Sequence, residues 1–174
     1  MIPTTLTKEV LQKYRNDIFV ETGTATGSGV KLALELGFKM IYSIELGARL
    51  QAKNAEQFKD FGNVKLFTGE SISLLSEIIK QLDSKATFWL DAHSGKLKQA
   101  PIYRELEVIN QSSIKNHTIM IDDMRVIGKS TWGKGLNKNI LIEKLLSINS
   151  LYTITYENNT LAENDIMVAH EKNN

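Results

Sequence analysis

The sequence predicts an α/β fold: a doubly wound sheet of seven strands, mostly parallel, with helices on both faces and an antiparallel hairpin at the C-terminus. Strand-like runs rich in Ile, Val, Phe and Tyr alternate with helical patterns along most of the chain. Such alternation requires parallel strands joined by right-handed crossovers. The last two strand-like runs are separated only by NNTLAEN (158–164), which is too short for a crossover helix, so they pair as a hairpin.

The strands are predicted by short runs of β-branched and aromatic residues. The parallel strands are IFVET (18–22), MIYSIE (40–45), VKLFT (64–68), TFWLD (87–91) and TIMID (118–122). The hairpin strands are LYTITYE (151–157) and DIMVAHE (165–171).

The helices are predicted by apolar residues at helical spacing. Gly37 ends the first helix, Ser71 precedes the third stripe, and Pro101 suits the first turn of the fourth helix. The apolar stripes of the five predicted helices, in chain order, are Val30, Ala33 and Leu34; Ala48, Ala52, Ala55 and Phe58; Ile72, Leu75, Ile79 and Leu82; Ile102, Leu106 and Ile109; and Leu141, Leu145 and Ile148.

Length and composition limit the classes of function. The 174 residues, 42% of them hydrophobic, predict one domain spanning residues 1–174. With 21 basic and 20 acidic residues, the net charge of +1 gives no overall field for nucleic acid or an anionic membrane, so neither is an expected partner. The chain has no cysteine, which excludes disulfides, thiolate zinc sites and a Cys nucleophile. Without a signal-peptide core or a run of about 18 apolar residues, the predicted location is cytoplasmic.

The stretch FVETGTATGSG (19–29) places an acid at the end of the first strand, followed by a glycine-rich turn. In a doubly wound sheet, ligands bind at the carboxyl ends of the strands, beside this first turn. Gly23, Gly27 and Gly29 allow a tight turn and close approach of a ligand. Glu21 would repel a phosphate and attract a cationic ligand with an amino group. The alternative is a turn that only packs the strand on the next helix.

Two further segments end strands at the same edge of the predicted sheet. Glu45 ends the second strand, where an acid can accept hydrogen bonds from both hydroxyls of a ribose. Alternatively, Glu45 is an acid favoured near the start of the next helix. TGES (68–71) offers a glycine and polar groups where an adenine edge could lie, although Ser71 can equally serve as an N-cap.

Acidic residues also follow the fourth and fifth strands, in FWLDAHSG (88–95) and MIDDMR (120–125). If these strands are neighbours, their ends lie about 5 Å apart and Asp91, Asp122 and Asp123 converge. Three carboxylates so close favour protonation or a hard cation such as Mg²⁺. The alternative is that Asp122 and Asp123 begin a turn or cap a helix. His93 could act as a base near neutral pH, or be a structural hydrogen-bonding group.

Together these motifs resemble the class I S-adenosylmethionine-dependent methyltransferases, which have a Rossmann-like fold, over nearly the whole chain. FVETGTATGSG is similar to their first motif, with Ala25 where a middle glycine is usual, and the C-terminal hairpin is similar to their sixth and seventh strands. The resemblance implies that S-adenosylmethionine contacts Glu21, Gly23, Thr24, Thr26, Gly27, Ser28, Glu45, Leu46, Gly69, Glu70, Ser71 and Asp91.

The DAH and DD segments are similar to those of the metal-dependent, macrocin-type sugar O-methyltransferases. This resemblance implies Mg²⁺ held by Asp91, Asp122 and Asp123, catalysis by His93 and Asp91, and a small hydroxylated or glycan acceptor. Those enzymes usually have an aromatic residue after the paired acids, where this chain has Met124 and Arg125. Two other functions stay open: an NAD(P)-binding oxidoreductase, although GTATGSG lacks the Gly-x-Gly-x-x-Gly spacing, and a non-catalytic S-adenosylmethionine-binding module. A homodimer could complete the site.

Overall fold

A computed structural model describes residues 4–92, 101–129 and 133–172 of the chain. Within these ranges the sheet has the strand order β3-β2-β1-β4-β5-β7-β6, and only β7 runs antiparallel to its two neighbours. The strands are β1 (Ile18–Thr22), β2 (Met40–Glu45), β3 (Val64–Thr68), β4 (Ala86–Leu90), β5 (Thr118–Ile121), β6 (Thr153–Glu157) and β7 (Ile166–His170). The predicted fold class and the C-terminal hairpin are confirmed.

Helices cover both faces of this sheet. They are α1 (Lys8–Lys13), α2 (Ser28–Glu35), α3 (Ala48–Gln57), α4 (Ser71–Ile78, extended by a 3₁₀ turn at Ile79–Gln81), α5 (Ile102–Ile109) and α6 (Lys138–Ile148). The sequence analysis did not predict α1, which begins after Thr7, whose side chain accepts a hydrogen bond from Val10 N (3.3 Å). No helix in the described part of the chain is long and apolar enough to cross a membrane.

Successive side chains of the central strands point to opposite faces of the sheet, so the apolar core is divided into two clusters. Phe19 and Trp89 belong to the core cluster that includes α1 and α2. Val20 and Leu90, the next residue on each strand, belong to the cluster that includes α4, α5 and α6. The polar residues at the strand ends follow the same alternation, so Glu21 lies on the α2 side of the sheet and Thr22 on the α5 side.

The predicted helix α3 is confirmed and Phe58 of its predicted stripe is buried, but the three alanines of that stripe were wrongly assigned to the core. Ala48, Ala52 and Ala55 are exposed, and the buried residues of the helix are Gln51 and Asn54. The buried face of this short helix is polar because it hydrogen-bonds backbone carbonyl groups at the edge of the sheet, including those of Ser43 (3.2 Å) and Phe67 (2.8 Å). The apolar periodicity of the alanines therefore indicates a neighbouring face of the helix instead of the buried one.

Candidate functional site

A cavity of about 180 Å³ lies at the carboxyl ends of β1, β4 and β5. This is the position at which doubly wound sheets bind ligands, beside the point where the strand order reverses. The residues that line it are Thr4, Thr5, Glu21, Gly23, Thr24, Ala25, Thr26, Ser28, Gly29, Asp91, Asp122, Asp123 and Arg125. Its described wall is thus made mainly of the glycine-rich turn and of acidic side chains.

Glu21 is the buried acid of this wall, with 2% of its surface exposed. Its carboxyl group is packed against Gly29, and a Cβ at that position would overlap Oε1 and lie 2.9 Å from the carboxyl carbon. Ser43 Oγ, in register on β2, donates a hydrogen bond to Glu21 Oε2 (2.6 Å). Burial raises the pKa of Glu21 to about 8; the Ser43 hydrogen bond opposes this rise and the charge of Glu45 adds to it.

The other two glycines of the turn have different steric roles. Gly23 has φ 93°, and a Cβ there would lie 2.5 Å from the carbonyl oxygen of Asp91. Gly27 has φ 79°, and a Cβ there would lie 2.7 Å from the ring of Phe58. Both positions therefore combine a backbone conformation that suits glycine with the close approach of another chain segment.

Polar residues of α3 hold the same turn from outside the cavity. Asn54 Nδ2 donates to the carbonyl oxygen of Ala25 (3.1 Å), and Gln51 Oε1 accepts from the same amide group (3.2 Å). Thr24 Oγ1 is 2.7 Å from Ser43 Oγ, which continues the network to Glu21. Ser43, Gln51 and Asn54 were not predicted from the sequence. For the two α3 residues, the signal was the helical spacing of Gln51, Asn54 and Phe58, at i, i+3 and i+7.

Glu45 lies outside the cavity, at the end of β2. Its Oε2 accepts a hydrogen bond from the backbone N–H of Ala25 (2.9 Å), and its Oε1 accepts one from the N–H of Gly47 (2.8 Å). Gly47 is the N-cap residue of α3, so the Glu45 carboxylate also lies at the start of that helix, where a negative charge is favourable. The backbone carbonyl of Glu45 accepts from Gly69 N (3.0 Å), which joins this end of β2 to the segment after β3.

The remaining residues predicted at the nucleoside end also lie outside the cavity. Leu46 is 58% exposed beside Glu45. Gly69 has φ 148°, which suits glycine. The N-cap residue of α4 is Glu70, not Ser71, and its side chain makes no capping hydrogen bond. Ser71 is instead a buried first residue of α4 whose hydroxyl faces the Glu105 carboxyl group of α5.

Asp91, Asp122 and Asp123 converge as their spacing predicted. One oxygen of each lies within 4.8 Å of the others, and the oxygen donor set matches the preference of a hard cation. Burial raises the pKa of Asp91 well above its usual value, and the charges of Asp122 and Asp123 add to the rise. Burial also raises the pKa of Asp122, against the hydrogen bond that it accepts from Thr5.

Residues distant in sequence hold these acids. Thr5 Oγ1 donates to Asp122 Oδ2, and Asn159 Nδ2, in the turn between β6 and β7, donates to Asp122 Oδ1 (2.9 Å). The Arg125 guanidinium group pairs with Asp123 and with the buried Asp165. Asp123 has φ 63° and begins a turn, because its carbonyl accepts from Val126 N (3.0 Å). The sequence contains no local signal for Thr5, Asn159 or Asp165.

The structure therefore brings together the predicted residues of the glycine-rich turn and the acid cluster, and places the residues predicted to contact ribose and adenine on the neighbouring strand ends. Glu21, Gly23, Thr24, Thr26, Ser28, Asp91, Asp122 and Asp123 line one cavity, while Gly27 packs behind it. His93, the predicted base, lies outside the described residues.

No protein-family model matches the sequence, and no curated protein matches it significantly. Solved structures share its fold. The SAH-bound methyltransferase PaMTH1 from Podospora anserina has a TM-score of 0.63 at 14% sequence identity, over 95% of this chain and 76% of that chain. An O-methyltransferase from Bacillus cereus, in complex with SAH, has a TM-score of 0.63 at 14% identity, over 94% of this chain and 78% of that chain. The N-methyltransferase NodS from Bradyrhizobium japonicum WM9 has a TM-score of 0.59 at 13% identity, over 93% and 90%.

Proposed function

We propose that the chain is an S-adenosylmethionine-dependent methyltransferase that methylates an oxygen of a small hydroxylated or sugar acceptor, with assistance from a divalent metal. The observation that carries the proposal is the buried Glu21 carboxyl group in the wall of the cavity. It lies at the ligand-binding edge of a fold shared with methyltransferases whose structures contain S-adenosylhomocysteine (SAH).

The charge of the cavity wall favours a cationic ligand. Four of the described lining residues are acids, and the only cation among them, Arg125, is paired with Asp123 and Asp165. A pyrophosphate would meet Glu21 directly, so the wall opposes a dinucleotide. Burial raises the pKa of Glu21 to about 8 in the ligand-free chain, and the ammonium and sulfonium groups of S-adenosylmethionine would favour its ionised form. This charge distribution supports the methyltransferase over the oxidoreductase.

The residues outside the cavity fit the nucleoside half of the cofactor. Each oxygen of Glu45 accepts one backbone hydrogen bond and keeps a lone pair that can accept from a ribose hydroxyl. Leu46 offers an exposed apolar side chain for one face of the adenine. The Gly69–Ser71 segment would flank the ring on the side of β3, with Gly69 allowing close approach.

The acid cluster supports the metal part of the proposal. Asp91, Asp122 and Asp123 would hold the ion through carboxylate oxygens, while the hydrogen bonds from Thr5 and Asn159 fix the orientation of Asp122. A bound divalent ion supplies Lewis-acid chemistry that lowers the pKa of a coordinated hydroxyl group.

The chain's own residues have three tasks in this reaction. The glycine-rich turn and Glu21 hold the cofactor, which supplies an electrophilic methyl group, so that the acceptor oxygen can approach in line with it. The acid cluster positions the acceptor hydroxyl. Asp91, the predicted catalytic residue of this cluster, would act as a ligand of the ion, because a bound cation favours its ionised carboxylate. His93 is the predicted proton acceptor.

Calorimetric titration with S-adenosylmethionine, SAH and NADH tests the cofactor class. We expect S-adenosylmethionine and SAH to bind and NADH not to bind, and Glu21→Ala to weaken both adenosyl ligands. Tight NADH binding without adenosyl binding would refute the proposal. Adenosyl binding with no methyl transfer to any hydroxylated or sugar acceptor would favour the non-catalytic binding module.

Manganese binding tests the metal separately. Free Mn²⁺ can be followed by electron paramagnetic resonance during titration of the wild type, of Asp122→Asn and of the matched control Asp60→Asn, which removes an exposed acid far along the chain from the cluster. We expect Asp122→Asn to weaken binding by more than about tenfold and the control to match the wild type. Unchanged methyl transfer in the presence of a chelator would remove the metal from the mechanism.

A further inference from the structure

The Glu45 carboxylate joins two segments at the edge of the sheet, in addition to the hydrogen bond that Asn54 of α3 donates to the turn. One oxygen accepts from the N–H of Ala25 in the glycine-rich turn, and the other accepts from the N–H of Gly47 at the start of α3. Hydrogen bonds to a charged acceptor are stronger than those between neutral groups. A single side chain on β2 thus fastens the turn after β1 to the helix after β2.

The turn needs such fastening at Ala25. Ala25 has φ 47°, in the left-handed region that costs a residue with a Cβ roughly 1–2 kcal/mol. Its peptide groups are held from two sides, since Glu45 accepts from its N–H and Asn54 donates to its carbonyl oxygen (3.1 Å). Glycine at this position would relax the constraint, but this chain keeps alanine and supplies partners for both backbone groups.

The fastened turn forms a wall of the cavity. Thr24 and Thr26, on either side of Ala25, both line it, and Gly23 packs on the backbone of Asp91. A shift of the Ala25 peptide would therefore move the groups that face the methionine end of the ligand, although Glu45 itself lies outside that cavity.

We infer that Glu45 is a positioning residue that holds the glycine-rich turn in its ligand-binding conformation, in addition to any contact with a ribose. The inference rests on the proposed function for the identity of the ligand, but the fastening is a property of the ligand-free chain. It predicts that loss of one carboxylate oxygen disturbs binding even where no ribose hydroxyl is present.

Glu45→Gln is the sharpest variant, because glutamine keeps the shape but presents an N–H₂ group to one of the two backbone N–H groups. The matched control is Glu56→Gln on the exposed face of α3, which removes only an ion pair with Lys59. In ligand-free protein followed by NMR, we expect the amides of Ala25 or Gly47 to exchange with solvent at least about tenfold faster in Glu45→Gln. Exchange as slow as in the wild type would overturn the inference.

Binding of a ligand without ribose hydroxyl groups gives the second readout, which the loss of a purely ribose-binding acid would not change. The probes are SAH and an SAH analogue that lacks the 2′- and 3′-hydroxyl groups. We expect Glu45→Gln to weaken both ligands, the analogue by at least about fivefold, with Glu56→Gln matching the wild type. An analogue that binds Glu45→Gln as well as the wild type would reduce Glu45 to a ribose contact and overturn the inference. If the wild type binds neither ligand, the proposed function is refuted. The amide exchange rates then decide alone whether Glu45 holds the glycine-rich turn in place.

Discussion

Substitution of Gly29 by alanine should destabilise the protein, although it adds a good helix former to a helix. Gly29 is the second residue of α2, and its φ is not in the left-handed region. On an exposed helix the same substitution would stabilise by up to about 1 kcal/mol. Here the new Cβ would overlap Glu21 Oε1, and the carboxyl carbon of Glu21 would lie 2.9 Å away, closer than Cβ contacts occur in proteins.

The magnitude follows from what must move. Glu21 is buried, hydrogen-bonded to Ser43 and in the wall of the cavity, so we expect its carboxyl group to avoid the new Cβ by rotating away from Ser43, with loss of that bond. Overpacking of a buried site typically costs about 1–3 kcal/mol, and the lost hydrogen bond adds about 1 kcal/mol. After subtraction of the helix-propensity gain, we expect a net loss of about 1–3 kcal/mol, which lowers Tm by roughly 2–12 °C for a chain of this length.

Thermal unfolding of the wild type and four variants, together with SAH titration, tests this reasoning. Gly62→Ala is the control, because no atom lies within 4 Å of a Cβ at that position, and its stability should match the wild type within about 0.5 kcal/mol. Glu21→Ala should remove the clash, so that Gly29→Ala added to it is neutral or stabilising. A Gly29→Ala protein as stable as the wild type, with unchanged SAH affinity, would refute the assigned packing of Glu21 against α2.

Two further predictions concern buried titratable groups away from the cavity, and both are measured by chemical denaturation as a function of pH. Burial raises the pKa of Glu105 to about 7 from 4.5, so its contribution to stability is present below pH 4.5 and is lost as the pH rises through 7. Glutamine does not titrate, so the free energy of unfolding of Glu105→Gln should rise by about 3 kcal/mol relative to that of the wild type between pH 4.5 and 8. Parallel plots of the free energy of unfolding against pH for the two proteins would contradict this. Burial lowers the pKa of His117 to about 4 from 6.5, and its Nδ1 accepts from Ala86 N (3.0 Å), so the free energy of unfolding of the wild type should fall by about 3 kcal/mol relative to that of His117→Gln as the pH falls from 6.5 to 4. His117→Gln should lack this acid-induced loss, and a loss of equal size in the variant would exclude His117 as its source.

Most of the sheet could be predicted from the sequence because its strands are buried on both faces. IFVET and TFWLD are nearly continuous apolar runs, and the structure buries every residue of β1 and β4. The hairpin followed from the short connection after residue 157. Helix α3 could not be predicted in the same way, since its inward residues Gln51 and Asn54 bind backbone groups instead of apolar side chains. Hydrophobic periodicity reports only contacts with an apolar core.

The site residues that could be predicted from the sequence are those that lie at the ends of adjacent strands. Parallel strands bring their carboxyl ends together, so Asp91 and Asp122 could be paired on the condition that their strands are neighbours, and β4 and β5 do pair. The groups that hold these acids come from elsewhere in the chain: Thr5 precedes α1, and Asn159 lies in the hairpin turn. Their hydrogen bonds depend on the path of the N-terminal segment across the sheet edge, which no local sequence pattern specifies.

The pairing of Glu21 with Gly29 argues against a glycine-rich turn that serves packing alone. Ala25 adopts a left-handed φ in that turn, so its conformation does not by itself require glycine at every position. Gly29 has an ordinary helical backbone, and the atoms that exclude a side chain there belong to Glu21. A packing role would be served better by a smaller apolar residue at position 21 and alanine at position 29, because a buried carboxyl group with a raised pKa costs stability in the ligand-free chain. A cationic ligand in the adjoining cavity would offset that cost.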